Sequence, residues 1–296
     1  MMRILIAMAL WVAVLPVSTS AQVADDTVVI GLSYPRTGHY REEGLAQMRG
    51  ALLAVDEINE RGGVLGKTLR LVNRDSAARP DKARRNIDSM VAEGAVMLFG
   101  SVSSAEAIAA GEQAKSHDRL YFATIGYSND VTTEKGHRHI FRESTSATMT
   151  GRALGQYLTQ HFPGKKYFYI TADYNWGHTS EDALRANTQT TDRALHPGVT
   201  IPFPTAKQSD YSTALQAAEA SDADLLVLVL YGHDLVRAIR TADHMGLRRD
   251  MQVVAPNLTQ SVIEQTGSSI MVGAIGAEHW LWRVPELENS QPGMAF

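Results

Sequence analysis

Cysteine is absent from all 296 residues. That absence excludes disulfides, thiolate metal sites, a cysteine nucleophile and a lipid-modified N-terminal cysteine together. No apolar run reaches the roughly 20 residues that a helix needs to cross a bilayer. Clusters of Lys and Arg with interleaved aromatics are missing and the formal net charge is −4, which argues against nucleic acid as a partner. The ten histidines do not pair at zinc-like spacings: His137 and His139 share a polar stretch, and His233 and His244 lie on one helix without an H-E-x-x-H arrangement. No metal or other cofactor is expected.

Three short motifs fail on inspection. Gly66-Lys67-Thr68 resembles the end of a P-loop, but the required earlier glycine is Arg61, and the loop precedes a strand instead of opening a helix. Gly100-Ser101-Val102-Ser103-Ser104 contains serines at a strand-to-helix turn, yet lacks the second glycine of a nucleophile elbow. A serine hydrolase reading has neither base nor oxyanion motif behind it, so no enzyme is expected. Asn257-Leu258-Thr259 fits a glycosylation sequon, a weak match of three residues.

What is present begins with an address. Arg3, an apolar run over 4–17 and the small residues Thr19-Ser20-Ala21 form a secretory leader cleaved after Ala21. Removing 21 of the 296 residues leaves 275, natural for two lobes of roughly 100 to 150 residues each. The mature chain is expected to be soluble, periplasmic, monomeric and not a lipoprotein.

From Thr27 onward, short apolar runs alternate with amphipathic stretches, which predicts βαβ units and mainly parallel sheets. Strands are expected at 28–32, 68–73, 95–99 and 120–124, with helices between them. A second series follows, with helices at 150–161, from 177, 211–220 and 235–245, and strands at 167–171, 225–230, 251–255 and 271–275. The polar stretch 135–146, in which only Ile140 and Phe141 are apolar, is the expected crossing between lobes. The lobes are thus 22–142 and 143–256, with 257–296 returning incompletely to the first.

Polar groups collect at the carboxyl ends of the predicted strands, where open α/β sheets bind ligands. Ser103 and Ser104 open a helix whose first amides can hold a carboxylate; capping by either serine, with Glu106 in the first turn, is the alternative. Gly126-Tyr127-Ser128-Asn129 follows the next strand, as either a binding loop or a plain turn. In the second series, Tyr231-Gly232-His233-Asp234 offers an acid that alternatively caps a helix. Asp173 to Gly177 offers Tyr174 and Trp176 as pocket walls or as packing.

Taken in order, Ile30-Gly31, Thr37-Gly38, Asp56-Glu57-Ile58-Asn59, Gly62 to Gly66, Arg74-Asp75-Ser76, Gly100 to Ser104, Ala172-Asp173-Tyr174, Trp176-Gly177 and Asp210-Tyr211 resemble the type I periplasmic solute-binding proteins of the leucine/isoleucine/valine and amide class. The resemblance covers most of the mature chain. It implies two Rossmann-like α/β lobes joined by crossing strands, a small amino acid or amide held between them, and a membrane ABC permease as partner. It also implies roles: Ser104 and Ser128 for a ligand carboxylate, the Gly126 carbonyl and Asp234 for an ammonium, and Trp176 as a wall. Ser103 and Tyr127 flank them, and Tyr40, Glu43 and Trp280 lie in segments that approach the pocket. The positions of a small disulfide loop found in some members are Ala78 and Ser103 here. Members usually continue for several dozen residues past the equivalent of Phe296, so the chain reads as C-terminally truncated. A ligand-sensing module reporting to a receptor is the rival function.

Overall fold

Apolar runs flanked by amphipathic helices give two parallel sheets. The computed structural model describes residues 27–281, 283–291 and 294; the leader read over 1–21 lies outside them. The first unit contains β1 (Thr27–Tyr34), α1 (Arg41–Glu60), β2 (Thr68–Asp75), α2 (Pro80–Ala92), β3 (Met97–Gly100), α3 (Ser104–Ser116), β4 (Leu120–Ala123) and β5 (Ile140–Arg142). The second contains α4 (Ala147–His161), β6 (Tyr167–Ala172), α5 (Asn175–Thr188), β7 (Gly198–Ile201), α6 (Gln208–Glu219), β8 (Leu225–Val229), α7 (His233–His244), β9 (Gln252–Ala255), α8 (Gln260–Thr266), α9 (Ser268–Met271) and β10 (Ile275–Gly276).

The sheets run β2-β1-β3-β4-β5 and β10-β9-β8-β6-β7, with parallel pairing throughout. Read from opposite edges, the two orders are the same plan. Each reverses direction once, between β1 and β3 and between β6 and β8, and such a reversal opens a crevice at the carboxyl ends of the strands.

A parallel sheet needs apolar residues on both faces because helices cover both. Leu225 to Val229 are all fully buried. Leu226 and Leu228 join a core with Tyr211, Leu215, Leu235 and Ile239, whereas Leu225, Val227 and Val229 join Leu154, Leu158 and Leu184. Full burial of one such side chain contributes about 1.5–3 kcal/mol. In the first unit, Ala83, Ile87 and Met90 of α2 and Ala107, Ala110 and Ala114 of α3 pack with Leu98 and Tyr121, while Val55 of α1 packs with Ile30 and Leu69. Helices α4 and α5 approach closely through Gly151 and Gly155: a Cβ on either would lie 2.9 Å from the Ala183 carbonyl carbon or 2.6 Å from the Asn187 Cβ.

Four expectations change. The polar stretch 135–146 carries β5, which pairs with β4, so the passage between units is confined to the residues between Arg142 and Ala147. Strand β7 had no apolar run to announce it. The strand expected at 271–275 is mostly helix: Met271 ends α9, and only Ile275 and Gly276 pair, with Val254 and Ala255 of β9. Residues up to Gly276 therefore extend the second sheet, and only afterwards does the chain reach the first unit, where Glu278 to Leu281 lie beside Gln47, Phe99 and Ile125.

Candidate functional site

The loop after β3 is shaped by local chemistry. Gly100 has φ +127°, and a Cβ there would lie 2.1 Å from the Ser33 carbonyl oxygen, so only glycine permits the turn. Ser101 continues at φ 69°, held by its N–H to the Ser33 carbonyl (2.9 Å), its hydroxyl to Tyr121 Oη (2.5 Å), and its carbonyl, which accepts from Gln47 Nε2 (2.8 Å). Ser103 is the cap of α3, its Oγ accepting from the Glu106 N–H (3.2 Å). Of the two serines, Ser103 thus takes the capping role.

Ser104 Oγ accepts from the Ser128 N–H (3.0 Å), fastening the α3 turn to the loop after β4. Ser128 Oγ receives the Asp130 N–H and the Thr179 hydroxyl, each at 3.3 Å, and Thr179 belongs to α5 of the second unit. Both hydroxyls retain a proton to donate. The N–H groups of Ser104 and Ala105 and the Gly126 carbonyl have no hydrogen-bond partner among the described residues. Two orphan amides and two hydroxyls at the positive end of α3 make a concentrated donor set, suited to an anion.

Across the crevice, Asp234 stands in the first turn of α7 and is 3% exposed. Its Oδ1 accepts from Tyr211 Oη (2.5 Å) and its Oδ2 from His39 Nε2 of the first unit (2.9 Å). Each oxygen accepts one hydrogen bond within the chain, and each keeps a lone pair for a further donor. Glu43 of α1 reaches toward Gly232, and burial raises its carboxyl above the ordinary range.

Between these polar ends lies a chain of rings contributed by both units. Tyr174 stacks on Phe203 at 4.1 Å, Phe203 on Tyr40 at 5.5 Å, and Tyr231 meets the edges of Tyr40, Tyr127 and Trp176 at 5.8, 5.8 and 5.9 Å. Tyr40 and Tyr174 share a hydrogen bond of 2.8 Å. Burial pushes the Tyr40, Tyr127, Tyr174 and Tyr231 hydroxyls up, so they are neutral donors at any physiological pH. Trp176 is 1% exposed, and its indole N–H has no partner among the described residues. Buried donors are seldom left so.

Gly126, Tyr127 and Ser128 come from a loop, and Ser104, Trp176 and Asp234 from the first turns of helices, at the two facing sheet edges. Trp280 lines a 510 Å³ cavity with Leu32, Phe99 and Ile125, and Tyr127 and Tyr231 form part of the same wall. Sequence reasoning missed His39, Phe203 and Thr179. Phe203 had one available signal, an aromatic between Pro202 and Pro204 just past a strand edge. Among the described residues no group of three His, Asp or Glu is placed to hold a metal ion.

The family model described as "Periplasmic binding protein" matches residues 27–292. The "Leu/Ile/Val-binding protein homolog 4" of Brucella abortus (strain 2308) is 23% identical over 299 residues, covering 96% of this chain and 68% of the relative. Among solved structures, a periplasmic binding protein from Burkholderia mallei superposes with a TM-score of 0.77 at 24% identity, covering 91% of this chain and 72% of that one. An ABC transporter solute-binding protein from R. palustris, in complex with benzoate, gives 0.73 at 19% identity over 91% and 72%.

Proposed function

Since the chain belongs to the periplasmic binding protein family along residues 27–292, a family of solute-binding proteins and not of enzymes, we propose that it captures a small carboxylate-bearing solute between its two units for an ABC-type permease. The donor set at α3 supports this reading most directly: the free amides of Ser104 and Ala105 beside the linked hydroxyls of Ser104 and Ser128. Each charge-assisted hydrogen bond to such a carboxylate contributes about 1.5–3 kcal/mol. Closure excludes water from the crevice and strengthens those bonds. Export through the leader at 1–21, without a lipid anchor, completes the reading.

For an α-amino acid, the Gly126 carbonyl is an open acceptor for the ammonium, and Asp234 joins it through its remaining lone pairs. A second reading has its own support. With Asp234 satisfied by Tyr211 and His39 and rings lining the crevice from both sides, an aromatic carboxylate needs no ammonium partner and gains ring contacts of about 0.5–1.5 kcal/mol each. Calorimetry with leucine, leucinamide, benzoate and benzamide tests both. Carboxylates should bind and the matching amides should lose most of the affinity; leucine binding marks the first reading and benzoate binding the second. Equal binding of acids and amides would remove the carboxylate anchor.

A further inference from the structure

Among the described residues, one buried acid has neither a part in the binding scheme above nor a cationic partner. Glu106, in the first turn of α3, is fully buried. Its Oε2 accepts the Val102 N–H at 3.3 Å, and its Oε1 makes no hydrogen bond of good geometry among the described residues, although the Ser76 and Ser101 hydroxyls lie near the carboxyl. The groups facing it are the Ser76 and Ser101 hydroxyls, the Val102 and Ser103 amides and the Tyr121 ring of β4. Beside α3, α2 contributes apolar Ala83 and Ile87 to the shared core. No ion pair compensates Glu106 among the described residues. Its charge therefore answers only to the helix end and to nearby neutral dipoles.

That helix end is also the anchor assigned to the ligand. Two anions at one helix terminus compete for the same partial positive charge and repel each other strongly where water is excluded. We propose that Glu106 is a proton-linked positioning residue: it holds the α3 turn through Val102, and the solute's carboxylate is accepted tightly only while Glu106 is protonated. This rests on the carboxylate reading above. The ligand's negative charge then replaces the one Glu106 gives up, so binding takes up a proton.

Burial pushes the Glu106 carboxyl up to about 7, with the surrounding hydroxyls and amides opposing that shift only in part. A bound anion pushes it further. Affinity is full at pH values below the free protein's Glu106 titration and declines as pH rises through 7, by about tenfold between pH 6 and pH 8. The substitution Glu106→Gln leaves His39, Glu43 and Asp234 across the crevice unchanged, so the variant isolates the one carboxyl on α3.

The test is calorimetry on the whole chain with leucine and benzoate as probes, at pH 6, 7 and 8, in phosphate and in Tris, on the native protein and Glu106→Gln. The amide keeps the shape and removes the titration. The expected result is a net proton uptake on binding near pH 7 in the native protein, seen as a buffer-dependent enthalpy, and an affinity in Glu106→Gln that stays at the pH 6 level up to pH 8. An unchanged pH profile in Glu106→Gln overturns the role of Glu106 while leaving the carboxylate anchor standing. Absence of proton uptake in the native protein overturns it as well, and needs no variant. Failure of both probes to bind folded protein at every pH overturns the anchor itself.

Discussion

His39 and Asp234 meet across the crevice at 2.9 Å, joining the turn before α1 of the first unit to the first turn of α7 in the second. Asp234 is buried and also receives Tyr211, so this contact ties the inter-unit bond into the packed interior of α6 and α7. It is a latch with one mobile end, because His39 sits on a loop whereas Asp234 and Tyr211 sit on helices.

Removing the mobile end should loosen the closed arrangement without harming either sheet. His39→Ala is expected to raise the radius of gyration measured by small-angle scattering, with a melting temperature within a few degrees of the native one. An unchanged scattering profile would show that the rings and the Tyr40–Tyr174 and Thr179–Ser128 hydrogen bonds suffice to hold the units together.

Ser104→Ala and Ser128→Ala each delete one hydroxyl donor from the anchor. Each should weaken a bound carboxylate about tenfold, the effect of losing roughly 1.4 kcal/mol, while leaving the matching amide nearly unaffected. Calorimetry with acid and amide pairs reads this difference directly.

Asp234→Ala separates the two solute classes. It should weaken an amino acid far more than an uncharged amide of the same shape if the ammonium reaches Asp234, and should leave benzoate largely unchanged. Comparable losses for leucine and benzoate would assign Asp234 to the latch alone.

Glu106 also shapes stability without any ligand. Its carboxyl titrates at about 7 in the folded chain against about 4.3 when unfolded, so the folded state holds the proton more tightly. Stability from this group is full below the unfolded value, falls by about 3–4 kcal/mol as pH rises to 7, and is level above that. Urea unfolding from pH 4.5 to 8 should show this decline in the native chain and not in Glu106→Gln.

Gly151→Leu forces a branched side chain against the Ala183 backbone of α5. Overpacking of this kind costs about 1–3 kcal/mol or more, and the melting temperature should drop by several degrees. The loop after β4 rests on the first turns of this helix pair, through the Ala147 N–H to the Tyr127 carbonyl and the Thr179 hydroxyl to Ser128, so probe affinity should fall with it.

Much of this organisation was legible in the residues. Leu225 to Leu230 announces a strand covered on both faces, and the turn Gly100 to Ser104 announces itself because a buried strand must end where serines open a helix. Edge strands were harder. β7 offers only Val199 and Ile201, and β5 places Phe141 on an exposed face, so neither has the continuous burial that makes an inner strand visible. The donor half of the site was readable because it is local: Ser103, Ser104 and Glu106 lie within one helical turn. The acid, Asp234, was likewise offered by its place just after a buried strand; its pairing with His39, 195 residues away, was not, because no spacing rule reports such a contact.

The shared strand order of the two sheets has a further consequence. Gly100 and Val229 are counterparts, each closing the third strand of its unit, and each is followed within three residues by backbone at positive φ, at Ser101 and Gly232. The crevice is therefore bounded by two renderings of one turn, brought face to face by the near-symmetry of the chain. A solute held there is read twice by the same architectural element, once with hydroxyls and free amides and once with rings and a carboxylate. Selectivity can then be altered in one rendering while the other stays intact, which makes each turn a separately tunable half of the receptor.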